Sequence, residues 1–355
     1  MGVNALNDEM LAEANLHAVY GLYLRLAHKA TPLPHETLRS IVNSLEKACK
    51  NDLPKPWKER DSFRLNILIN AMVHFPIAAN AKIDDLSRSR NGLTACTFTD
   101  AKGGVSVILK GTGKGEWIDN GEGLSGIPEG NTYISYGKDG KILSRKTVKN
   151  DYATDQQVEA LNWFRYLAAK HRWSTRTKLT VSGHSKGGNK AQFITIHSDL
   201  IDKCYSFDGQ GFSPEALSAL KKITGLAFER RRQHIYSLSA DNDYVNVLGE
   251  RLMPDDHICF LESSRGFHHL ESILDINGRF RPQCEQGSLS RYIESVSERL
   301  MKMPPAIRQH VTLAVMNLFQ KYLGSDSPVN GDTVSTEQTL AGLSIALGLL
   351  LSGDN

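Results

Sequence analysis

Leu179-Thr180-Val181-Ser182-Gly183-His184-Ser185-Lys186-Gly187-Gly188-Asn189 decides the reading of this chain. It opens as an apolar β-run, and a helical pattern (Ala191, Phe193, Ile194, Ile196) follows it. Between the two stands Gly183-x-Ser185-x-Gly187, the pattern of a serine held in a sharp turn from strand to helix. Such a turn needs small residues two before and two after the serine, so that the strand and helix backbones can approach. It lifts the hydroxyl above the sheet edge, and the helix N-terminus below supplies positive potential for a developing oxyanion. Ser185 is therefore the candidate nucleophile.

Outward from this turn, helices and strands alternate. A capping box at Thr154 and Gln157 opens a helix expected to run to about His171. Strand Lys178 to Ser182, helix Lys186 to His197, strand Cys204 to Phe207, helix Pro214 to Phe228, and strands His234 to Leu238 and His257 to Leu261 follow. This order predicts an α/β fold, a mostly parallel sheet with helices on both faces. Upstream, Thr94 to Thr99, Val105 to Leu109 and Thr132 to Tyr136 read as strands separated by Gly-rich stretches, notably Gly111 to Gly130. Helical patterns over 8–29, 35–50 and 62–75 mark residues 1–90 as a helical N-terminal subdomain or cap. Residues 91–325 form the α/β-hydrolase domain, ending in helices near 287–302 and 305–322. Residues 326–355 are a polar linker and an apolar C-terminal segment.

A serine hydroxyl needs a general base. In α/β-hydrolases the order is Ser, acid, His. His197 lies on the helix after the turn, and His234 and His257 open strands. His268-His269 follows a strand and the Ser263-Ser264-Arg265-Gly266 turn, a position where catalytic residues collect. His269 is the preferred base and His268 the alternative. Asp208 and Asp243 each follow a strand and compete as the acid, and local composition does not separate Asp243 from Asp241. Backbone N–H groups of Lys186 and of Thr112, in the Gly111-Thr112-Gly113 loop after Val105 to Leu109, are the expected oxyanion donors.

Leu109-Lys110-Gly111-Thr112, Trp117-Ile118-Asp119 and the Ser185 segment resemble the class 3 lipases. A closer resemblance, over about residues 95–325, is to a bacterial lipase-like family, domain of unknown function 2974. It rests on Gly183-His184-Ser185-Lys186-Gly187-Gly188-Asn189, on Tyr205-Ser206-Phe207-Asp208-Gly209-Gln210-Gly211-Phe212 and on the late His268-His269. The resemblance favours His269 over His268. The lipase pattern favours Asp243 as the acid, while the closer family keeps the aspartate matching Asp208. It implies a serine ester hydrolase, a lipase or (lyso)phospholipase, with no metal or organic cofactor. The alternative is a catalytically silent hydrolase fold used for binding or scaffolding.

Composition narrows the partners. The 355 residues are 40% hydrophobic and 23% charged with net charge +3, a globular balance without the basic excess of a nucleic-acid binder. Arg230-Arg231-Arg232 reads as a solvated helix end. The scattered Cys49, Cys96, Cys204, Cys259 and Cys284 lack metal spacing and read as free thiols of a reducing compartment, with Cys204 and Cys259 in the core. The polar start predicts no cleavable signal, so the expected location is cytoplasmic or reached by export without one. Leu340 to Leu351 is too short to span a bilayer; it reads as a C-terminal helix packed on the domain, with a membrane-surface or partner-binding segment as the alternative. The expected partner is an ester or lipid substrate. Oligomeric state is left open.

Overall fold

A computed structural model describes residues 6–51, 57–88, 93–112, 117–126, 131–136, 142–148, 152–264 and 268–323. The chain opens with α1 (Asp8–Leu26), α2 (Leu38–Lys50), α3 (Glu59–His74) and the short α4 (Pro76–Asn80). The side chains of Asn7 and Thr37 accept first-turn N–H groups and so fix where α1 and α2 begin. Three antiparallel strands follow, β1 (Lys82–Arg88), β2 (Thr94–Thr99) and β3 (Val105–Leu109). Next come α5 (Trp117–Ser125), a separate hairpin of β4 (Asn131–Tyr136) and β5 (Ile142–Val148), and α6 (Asp155–Lys170). The Thr154–Gln157 capping box is formed as expected.

The second half alternates β6 (Leu179–His184), α7 (Lys186–Ile196), β7 (Lys203–Phe207), α8 (Pro214–Thr224), α9 (Ala227–Arg232), β8 (Ile235–Ala240) and β9 (Ile258–Leu261). Strand β10 (Gln283–Cys284) and helices α10 (Ser288–Met301) and α11 (Pro305–Leu323) close the described chain. The main sheet has the order β1-β2-β3-β6-β7-β8-β9-β10, parallel from β3 to β9 and antiparallel at both margins. This is the predicted α/β architecture.

Alternation along the strands sorts two cores. Ile108, Tyr205, Phe207 and Leu238 face α1–α4, while Val107, Val181, Cys204 and Ile235 face α6, α7 and α9. The N-terminal helices thus share one core with the sheet. All five cysteines are free thiols, with Cys96, Cys204 and Cys259 buried. Arg230 and Arg231 end α9 and pair with Asp199. Among the described residues no helix is long and apolar enough to cross a membrane. The apolar segment Leu340 to Leu351 lies outside the described residues.

Several elements depart from expectation. The helix expected from Pro214 to Phe228 is two, because Gly225 caps α8 at φ 55°. The Gly-rich stretch expected only to separate strands contains α5. Gly121 tolerates a helix there because α11 packs onto it: a Cβ would lie 3.1 Å from Leu313 and Met316. Tertiary packing overrides weak propensity. Strand β1 falls within the first 90 residues, where only helices were expected.

His17 on α1 sits between Ser182 Oγ at 2.9 Å and Ser106 Oγ at 3.2 Å, fully buried. Burial, reinforced by Lys203 and opposed by Glu13, pushes its pKa down to about 4 from the ordinary 6.5. Between those values the unfolded chain binds the proton that the folded chain refuses. Stability therefore falls as pH drops from 6.5 toward 4 and loses nothing on this account above 6.5. A shift from 6.5 to about 4 corresponds to about 3 kcal/mol. Urea midpoints measured at pH 7 and 4.5 are expected to fall with acidification, and less steeply in His17→Gln.

Candidate active site

The turn between β6 and α7 carries the strain that the sequence implies. Ser185 has φ 61° and ψ −129°, outside the usual range for a side-chain-bearing residue. The conformation is anchored by Ser185 N–H donating to Phe207 O at 2.8 Å and by Gly188 N–H donating to Ser185 O at 2.9 Å. The flanking glycines are steric necessities. A Cβ on Gly183 would lie 2.3 Å from Gly187 C, and one on Gly187 would lie 2.2 Å from Leu109 O, both backbone atoms. Gly183→Ala is therefore expected to destabilise the fold by about 3 kcal/mol or more, read as a lowered urea midpoint at pH 7.

His268 bridges Ser185 and Asp243. Its Nε2 lies 2.8 Å from Ser185 Oγ and its Nδ1 lies 2.6 Å from Asp243 Oδ2. An ionised carboxylate only accepts, so Nδ1 carries the proton and Nε2 accepts from the hydroxyl. Asp243 is fully buried, and its other oxygen accepts the N–H groups of Val245 and Asn246, each at 2.7 Å. The loop after β8 therefore fixes the carboxylate, the carboxylate fixes the imidazole, and the imidazole meets the hydroxyl.

The expectation that His269 is the serine's partner is corrected. His269 Nε2 instead meets Arg60 Nη2 of α3 at 2.5 Å. Burial, and then Arg60, push its pKa down to about 4. The backbone is extended at His269, so neighbouring side chains point to opposite sides and only one of the pair faces Ser185.

The competing aspartates separate equally cleanly. Asp241 accepts from Ser263 Oγ and Asn242 Nδ2, tying the loop after β8 to the loop after β9. Asp208, at φ 47° after β7, accepts Ala240 N–H at 2.8 Å and faces His184. Burial and the nearby Asp243 carboxylate hold its carboxyl well above the ordinary carboxylate range.

His184 and Arg25 are contacts that the sequence reading missed. Arg25 Nη2 of α1 donates to His184 Nδ1 at 2.7 Å. Arginine only donates, so the His184 proton sits on Nε2. That nitrogen is 3.3 Å from Asp208 Oδ2, a close contact without hydrogen-bond direction. Burial, followed by Arg25, holds His184 well below the ordinary histidine range. His184, Asp208 and His268 bring three potential metal-ligand atoms within 4.8 Å of one another. Of these groups, His268 Nε2 is engaged with Ser185 and His184 Nδ1 with Arg25.

The loop after β3 comes up against the turn: a Cβ on Gly111 would lie 2.6 Å from His184 O and 3.1 Å from Ser185 Cβ. Thr112 follows, its Oγ1 accepting from Asn120 Nδ2 at 2.9 Å. Lys186 buries its side chain and pairs with Asp119 Oδ2 at 2.7 Å, while Asp119 Oδ1 accepts Gln156 N–H at 3.1 Å. This pair ties α5 to the start of α7. The Lys186 N–H opens α7, ahead of the Gly188 and Asn189 N–H groups that donate to Ser185 O.

The remaining motif residues are packing devices. Asn189 accepts from Gln157 and donates to the Gln210 and Gly211 carbonyls. A Cβ on Gly209 would stand 1.9 Å from Ser206 Oγ. The Asp208-to-Phe212 segment is thereby pinned against α7.

No curated protein matches this chain. A family model described as Mbeg1-like matches residues 127–234, a span that includes Ser185 and Asp208 and stops short of Asp243 and His268. Over that span the chain is similar to a lipase-like family, and the α/β fold is compatible with it.

Proposed function

We propose that the protein is a serine hydrolase that cleaves carboxylic esters by acyl transfer to Ser185. The observation that carries this reading is the continuous hydrogen-bond chain from Asp243 through His268 to a serine held at positive φ. His268 Nε2 takes the hydroxyl proton as Oγ attacks the ester carbonyl. The tetrahedral oxyanion is met by the Thr112 and Lys186 backbone N–H groups, a contribution of about 10²–10³-fold per donor in such sites. The imidazolium, stabilised by Asp243, returns its proton to the leaving alcohol. The neutral imidazole then takes a proton from water, whose oxygen attacks the acyl-enzyme, and gives that proton to Ser185 Oγ as the acid leaves.

Lipid esters are the favoured substrates. The motif resemblance to class 3 lipases, the resemblance over about residues 95–325 to a bacterial lipase-like family and the similarity of residues 127–234 to a lipase-like family support this choice. The test is hydrolysis of p-nitrophenyl esters of increasing acyl length, below and above micelle formation. The expected result is turnover that rises on micelles and disappears in Ser185→Ala. Preference for short soluble esters with no micellar gain counts against lipids, and no turnover of any ester favours the silent-fold alternative.

A further inference from the structure

A groove opens at the opposite end of β6 from Ser185. It lies between α1, the start of α4 and the turn that joins β2 to β3, and it encloses about 570 Å³. Val105, at the start of β3, and Lys178, just before β6, both line it, whereas Ser185 follows the last residue of β6. Cavities of this size that are mostly apolar, with a few placed polar groups, are where small molecules bind.

The floor is held in place before any ligand arrives. Alternate residues of β6 each hold a residue of α1: Thr180 Oγ1 donates to Glu13 at 2.8 Å, Ser182 Oγ lies 2.9 Å from His17 Nδ1, and His184 Nδ1 accepts from Arg25 at 2.7 Å. The first two contacts fix Glu13, His17 and Thr180, which form the floor together with Ser106. Leu16 and Tyr20 of α1 supply one wall, and Phe75, Pro76 and Ile77 supply another. The charges at the rim are unequally committed. Glu13 pairs with Lys203 at 2.5 Å. Asp100 Oδ1 accepts the N–H groups of Lys102 and Gly104 at 2.7 and 2.9 Å, so this carboxylate is folded back on its own turn. Glu9 stands in the first turn of α1, where the helix N-terminus favours negative charge. Lys102 and Lys178 are exposed, and neither forms an ion pair with a described residue.

Apolar walls that end at two uncommitted ammonium groups fit a chain with one anionic end. We infer that the groove is a second ligand site that takes a fatty acid of about 8–12 carbons, its chain between Leu16 and Ile77 and its carboxylate at Lys102 and Lys178. A fatty acid is also what hydrolysis of a lipid ester releases, but binding here rests on the groove alone and not on the chemistry of Ser185.

Isothermal titration calorimetry on the full-length Ser185→Ala protein provides the test, with sodium octanoate, sodium decanoate and decanol below micelle formation. Decanoate is expected to bind about fivefold or more tightly than octanoate, because two more methylenes leave water. It is expected to bind about fivefold or more tightly than decanol, an advantage that shrinks as salt rises from roughly 50 to 300 mM. Lys102→Gln combined with Lys178→Gln, both at exposed positions, is expected to weaken decanoate about five- to tenfold and decanol by less than about twofold. Ile77→Asp, also at an exposed position, is expected to weaken both ligands at least about fivefold.

Decanol bound as tightly as decanoate overturns the inference. So does a decanoate affinity that neither the double lysine variant nor Ile77→Asp changes, which would put the acid elsewhere, the cleft at position 185 included. Absence of binding at millimolar decanoate overturns it as well. Because Ser185 is replaced and no ester is cleaved, each of these failures is distinct from failure of Ser185 to accept an acyl group.

Discussion

His268→Ala is expected to lower turnover of a neutral ester by at least about a thousandfold, and His269→Ala by less than about tenfold. Only the first imidazole stands 2.8 Å from Ser185 Oγ, and only it is bonded to the buried Asp243. Without it the hydroxyl has no acceptor for its proton and the leaving alcohol has no donor. The oxyanion donors alone leave only a residual acceleration over water. His269 offers its Nε2 to Arg60, a contact directed toward α3 and away from Ser185. Steady-state kinetics on p-nitrophenyl butyrate check both variants. Equal loss in the two would mean that the loop as a whole, and not the His268 ring, matters.

Asp243→Asn is expected to reduce turnover by about 10⁴-fold, with little change in folding. The amide has the right shape for the pocket. Its NH₂, however, cannot accept from His268 Nδ1–H, so the ring is driven to the tautomer with its proton facing Ser185. Asp208→Asn is expected to cost less than about tenfold, because asparagine tolerates the left-handed backbone. Its amide oxygen can also still accept the Ala240 N–H that Asp208 now takes at 2.8 Å. The comparison needs kcat for both variants beside matched thermal unfolding. A larger loss in Asp208→Asn than in Asp243→Asn would reverse the assignment of the acid.

The fold was legible because its commitments are local. The Gly183-x-Ser185-x-Gly187 turn needs residues that no other backbone arrangement demands, and the capping box at Thr154 announces α6 by itself. Strand β1 escaped notice because it is polar. Lys82-Ile83-Asp84-Asp85-Leu86-Ser87-Arg88 shows no clean alternation, and its carboxylates are satisfied by Thr99, His35, Lys170 and His171. Charge on an outer strand discourages further pairing along its edge, at the cost of the pattern by which strands are recognised.

The side-chain arrangement around Ser185 was legible to within one residue. The serine, the loop carrying the histidine that meets it and the two strand-end aspartates all follow from chain order. Choosing between His268 and His269 requires knowing which way an extended segment turns its faces, and adjacent residues carry no local sign of that. Asp208 and Asp243 leave neighbouring parallel strands and reach the same region, so the loops beyond them decide between the two. Arg25 lies 159 positions from the histidine it touches, and nothing near it in the chain marks the contact.

The most direct measurement is mass spectrometry of the full-length protein after exposure to a fluorophosphonate ester, with peptide mapping of the modified residue. The account predicts a single adduct on Ser185, formed quickly in the native chain and at least about a thousandfold more slowly in His268→Ala. A native chain that stays unmodified at Ser185, or one labelled there as fast without His268 as with it, would contradict it.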